Sequence, residues 1–63
     1  MEIYREHKIR KSGKMFFKVQ APDGHYFGSR VVSVAAAKAT IDATIENRPY
    51  TREEYKIVYP ELF

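Results

Sequence analysis

The side chains best placed to do chemistry lie in the first 18 residues: Lys8, Arg10, Lys11, Lys14 and Lys18, with Phe16 among them. Residues 1–20 hold six Lys/Arg against two Glu, a net +4, whereas residues 21–63 hold five basic and six acidic residues, a net −1. Lys and Arg neutralise phosphates and reach guanine edges, and an interleaved ring adds apolar contact, so the pattern points to a nucleic-acid surface. Other chemistries have weaker support. His7, His25 and Asp23 match no metal-ligand spacing. Ser12, Ser29 and Ser33 have no base fixed beside them in sequence, and Ser33 is better used as a helix cap. The eight carboxylates are scattered, and Gly13, Gly24 and Gly28 form no phosphate-binding loop. So short a chain seldom builds a concave, water-excluding pocket. The expectation is a non-enzymatic protein with no catalytic residue, metal or cofactor.

Those cations need a scaffold. Its most legible element is Ser33–Asn47, where Val34, Ala37, Ile41 and Ile45 recur at helical spacing. Ser33 suits the N-cap, Asn47 a left-handed C-terminus, and Pro49 cannot continue the helix. Ahead of it, residues 2–10 read as one strand, with Ile3 and Ile9 inward and Tyr4, Lys8 and Arg10 outward. Lys11-Ser12-Gly13-Lys14 is a turn. Met15, Phe17 and Val19 then alternate with Phe16, Lys18 and Gln20. Ala21-Pro22-Asp23-Gly24 is a second turn, and His25–Val32 a third strand, bent at Gly28.

The fold class expected is α+β: a three-stranded antiparallel sheet packed on one main helix (β-β-β-α). The predicted core joins Ile9, Met15, Phe17, Val19, Phe27 or Tyr26, and Val32 to Val34, Ala37, Ile41 and Ile45. In the tail, Thr51 and Glu54 form a capping box with Tyr50 and Tyr55 as a staple, which predicts a short helix from Arg52 to about Tyr59. The β-rich run Tyr55–Tyr59 supports a strand as the competing form. One domain is expected over 1–63, with the sheet in 2–32, the main helix in 33–47 and the tail in 48–63. No run reaches the ~18 apolar residues of a membrane span, the N-terminus has no signal-peptide pattern, and cysteine is absent, all of which fit a cytoplasmic protein.

Two stretches and the helix after them carry a resemblance. Ser12-Gly13-Lys14-Met15-Phe16-Phe17 is an aromatic strand after a Gly turn, and Asp23-Gly24-His25-Tyr26-Phe27-Gly28-Ser29-Arg30 is a hairpin leading to an aromatic-Gly strand. With the Ala-rich helix, residues 12–47 resemble the N-terminal arm-type DNA-binding domains of phage integrases, the tyrosine recombinases. The resemblance implies a three-stranded sheet that enters the DNA major groove, backed by one helix. It implies no integrase activity, because the 63 residues hold no recombinase catalytic segment, and the very basic N-terminal tail common in such domains is missing. Short stand-alone versions of the pattern also look like small accessory proteins of phages and mobile elements, whose partners are often host proteins.

Two functions follow as expectations. The first is a DNA-binding protein that uses Lys8, Arg10, Lys11, Lys14, Phe16 and Lys18 on the outer sheet face, with double-stranded DNA as partner. The second is a phage or mobile-element protein that binds or inhibits a host or viral protein through aromatics such as Tyr50, Tyr55, Tyr59 and Phe63, or pairs with itself as a homodimer. If the tail covers Phe16, the first loses its centre. No membrane partner is expected.

Overall fold

The computed structural model describes residues 2–62, the side chains of Ser29 and Arg30 excepted. The order is β1 (Glu2–Tyr4), β2 (His7–Ser12), β3 (Phe16–Gln20), β4 (Tyr26–Val31), α1 (Val34–Ile45), α2 (Arg52–Val58) and a 3-10 turn, Pro60–Leu62. The strands pair antiparallel in the order β1-β2-β3-β4. The sheet therefore has four strands instead of the three expected, and the tail holds a helix followed by a 3-10 turn.

The extra strand comes from a fold-back at Arg5-Glu6. Both residues have positive φ, 50° and 68°, the conformation of a two-residue hairpin turn whose twist matches its strands. Neither is the Asn, Asp or Gly that normally marks such a turn. Three long-range and local contacts hold it instead. The Tyr4 hydroxyl donates to Asp42 Oδ1 at 3.0 Å, Arg5 Nη1 donates to the same atom at 2.7 Å, and His7 Nδ1–H donates to the Arg5 carbonyl at 2.9 Å. The reversal swaps two faces. Ile3 lies opposite Lys8 and is 62% exposed, while Tyr4 lies opposite His7 on the helix side. One continuous strand would have placed Ile3 with buried Ile9 and Tyr4 outside.

Met15 also departs from the predicted core. It closes the β2–β3 turn after Gly13 (φ +84°) and is 77% exposed. Between β3 and β4, Phe17 faces Val31 and Val19 faces Phe27, so β4 takes four steps where β3 takes two. Gly28, at φ +62°, sits in this irregularity, where a Cβ would lie 3.1 Å from Val31 Cγ2. The even shift keeps the alternation of faces, so Phe27 and Val31 both point to the helix.

The core joins Ile9, Val19 and Val31 of the sheet to Ala36, Ala37 and Ile41 of α1. Tyr4, Phe17, Phe27, Val32, Val34 and Val58 pack around it. Small alanines let α1 lie close to the sheet. Ser33 Oγ accepts the Ala36 N–H at 3.0 Å, and Asn47 ends the turn at φ +51°. The helix is shorter than 33–47, because these two residues are its flanks. Its buried set also differs from the expected one: Ala36, Ala37, Ala39, Ile41 and Ala43 are buried, while Ile45 is 43% exposed. α1 packs against both the sheet and α2, so one apolar stripe does not describe it.

α2 begins at the capping box: Thr51 Oγ1 accepts the Glu54 N–H at 3.2 Å and Glu54 Oε1 accepts the Thr51 N–H at 2.8 Å. The Tyr50 and Tyr55 rings meet edge to face, centroids 5.6 Å apart. The start signal thus decides for helix over strand. The Cα atoms span 31 × 29 × 15 Å. The short dimension holds one sheet and one helical layer, at the ~10 Å spacing of packed layers.

Candidate nucleic-acid interface

Residues directly opposite on paired strands point to the same side of a sheet. Lys8 faces Gln20, Arg10 faces Lys18, Ser12 faces Phe16, and Gln20 faces Tyr26. Ile3 joins them beside Lys8. The outer face thus presents Lys8, Arg10, Phe16 and Lys18 together. α1 and the Val58 contact of α2 lie on the other side, so the tail packs on the helical layer.

Two of the predicted residues sit elsewhere. Lys14 lies in the exposed β2–β3 turn, at the end of the face. Lys11 has the opposite parity: it faces Phe17, its Nζ is 5.3 Å from that ring's centroid, and it donates to the Lys14 carbonyl at 3.4 Å. Tyr26 was not among the site residues expected from sequence, because Tyr26 and Phe27 competed for the core. It is 48% exposed on the outer face, with Lys18 Nζ 4.5 Å from its ring centroid, a cation–π contact.

Charge is sorted between the two sides. On the helical layer, Glu2 pairs with Lys38 at 2.9 Å and Asp42 with Arg5 at 2.7 Å. Glu46 meets Arg48 at 2.7 Å, and Arg48 also grips Glu54 through both terminal nitrogens at 2.7 and 3.0 Å. The Arg48 hydrogen bond holds Glu46 below the usual carboxylate range and, with the Thr51 N–H, brings Glu54 down to about 2. The bond to Asp42 pushes the Tyr4 phenol up, and the bond to Glu2 does the same for Lys38. Among the described residues, Lys8, Arg10, Lys14 and Lys18 form no ion pair. Glu2, Asp42, Glu46 and Glu54 are engaged with the cations of the helical layer.

The remaining chemistry is sparse. His7 is buried against Phe27, ring centroids 6.0 Å apart, and His25 is exposed beside Asp23. Among the described residues, no group of three or more His, Cys, Asp or Glu could hold a metal ion. An open depression lined by Ala43, Thr44, Asn47, Arg48, Pro49 and Tyr50 contains no histidine, cysteine or carboxylate. No helix is long and apolar enough to cross a membrane among those residues. No protein-family model, no curated protein and no solved structure matches the chain.

Proposed function

We propose that this is a small, non-enzymatic DNA-binding protein that lays the outer face of its sheet on double-stranded DNA. Lys8, Arg10 and Lys18 contact phosphates and guanine edges, Lys14 extends the contact at the hairpin tip, and Lys11 adds charge there. Phe16 supplies apolar contact, as to a thymine methyl group. One observation carries the reading: Lys8, Arg10 and Lys18, which form no ion pair among the described residues, share a face with Phe16 on the side of the sheet away from both helices. Its resemblance to the arm-type domains of phage integrases supports the same mode. Three or four phosphate contacts give a log–log salt slope of about −3. Fluorescence anisotropy with a mixed-sequence duplex at low salt tests it. Micromolar binding that weakens along that slope is expected; no binding at micromolar protein sinks the proposal.

A second reading has its own observation. Tyr55, Ile57, Tyr59 and Leu62 are exposed on α2 and the turn after it, and exposed aromatics are common interface anchors. Phe63, expected in that surface, lies outside the described residues. A phage or mobile-element protein that binds a host or viral protein would use this side. Affinity capture after nuclease treatment should then recover one partner with the wild-type chain and lose it with Ile57→Lys. Recovery of nucleic acid alone counts against this reading, and a solution mass at monomer size counts against a homodimer.

A further inference from the structure

Arg10 and Lys18 stand directly opposite each other on β2 and β3. Like charges at such positions repel, with Cβ atoms only about 5 Å apart. No carboxylate compensates either one among the described residues. The Arg10 Nε–H is also buried and has no acceptor among the described residues. Both features cost stability as they stand, and one oxyanion above the pair removes both. Nε–H and one Nη–H form an edge of the guanidinium that matches two oxygens of a phosphate. Turning that edge outward breaks no Nε hydrogen bond to the described residues, because Nε makes none with them.

We propose that Arg10 and Lys18 form a phosphate seat at the centre of the outer face, with one phosphate bridging the two side chains. The inference rests on the DNA-binding reading and names the point where the backbone is held. The phosphate could come from a DNA phosphodiester or from a free phosphate group, and two titrations separate them. The Arg10 Nε–Hε signal of the full chain is followed by NMR against inorganic phosphate at constant ionic strength, then against a mixed-sequence duplex. Both should move it saturably. Lys18→Gln, checked for a folded spectrum, should weaken the phosphate response at least about fivefold and lower the magnitude of the duplex salt slope by about one. A duplex that binds while the Arg10 signal stays still overturns the seat and leaves the DNA reading standing. Phosphate that saturates Arg10 with no duplex binding at micromolar protein upholds the seat, as a site for a small phosphate ligand, and overturns the DNA reading. A response to an acidic peptide but not to phosphate overturns the phosphate assignment. Because the wild-type titrations stand alone, a variant that fails to fold leaves the test intact.

Discussion

Arg5 Nη1 lies 2.7 Å from Asp42 Oδ1, and the same oxygen accepts the Tyr4 hydroxyl at 3.0 Å. One carboxylate on α1 thus fastens the first hairpin turn, whose two residues are both in the left-handed region. That conformation is unfavourable for residues with a Cβ, so the turn depends on its anchor. Asp42→Ala should destabilise the chain by about 1 kcal/mol, read by urea unfolding. Amide exchange should show protection lost first in β1. Duplex affinity should stay unchanged, because Asp42 is on the helix side; a parallel loss of affinity would show that the hairpin itself shapes the binding face.

Acid should release α2. Arg48 and the Thr51 N–H hold Glu54 at about 2, against the usual 4.5. A carboxylate whose folded value is depressed stabilises the fold fully above its unfolded value, and that contribution is lost as pH falls through the folded one. The window is therefore about pH 4.5 down to 2. Glu46, also lowered by Arg48, acts in the same direction. Far-UV circular dichroism and Tyr fluorescence should report a loss across this window, shallower in Glu54→Gln. Superimposable acid profiles for the two proteins would rule out the Arg48–Glu54 contact as the cause.

Lys8 and Lys11 carry the same charge three residues apart, yet lie on opposite faces of the sheet. Lys8→Gln should weaken duplex binding and lower the magnitude of the salt slope by about one. Lys11→Gln should do markedly less. Both variants lose one unit of net charge, so anisotropy curves that coincide would mean that overall charge, and not the face, binds DNA.

Legibility followed the range of the interactions. Ser33, the Thr51–Glu54 box and the Pro22-Asp23-Gly24 turn act on neighbours: Asp23 Oδ1 accepts the His25 N–H at 2.9 Å, and Gly24 adopts φ +95°. Such signals can be read locally. The Arg5-Glu6 turn could not be, since its anchor at Asp42 is 37 residues away from Arg5. Its omission cost one strand and exchanged Ile3 with Tyr4. Lys8, Arg10, Phe16 and Lys18 were grouped from their alternation within two strands, and β2–β3 pairing puts them on one side. Tyr26 was left undecided because two adjacent aromatics do not say which faces inward; its pairing with Gln20, ahead of the register irregularity at Gly28, decides it. Ile45 was expected in the core, but it is the last residue of α1 and is 43% exposed.

Gly28 tests whether that irregularity matters. At φ +62° it occupies a conformation that side chains disfavour, and an added Cβ would meet Val31 Cγ2 at 3.1 Å and Thr40 Cγ2 at 3.9 Å. Val31 belongs to the core and has little room to yield. Gly13, at φ +84°, has nothing within 4 Å of the same added atom. Gly13→Ala should therefore carry the backbone strain alone, about 1 kcal/mol. Gly28→Ala carries the same strain and a clash with the core, so its loss in urea unfolding should be clearly larger. Because β3 holds Lys18 and β4 holds Tyr26, it should also weaken duplex binding, which Gly13→Ala should not. Equal losses of stability would mean that β4 shifts its register to avoid Val31, and that the outer face tolerates the change.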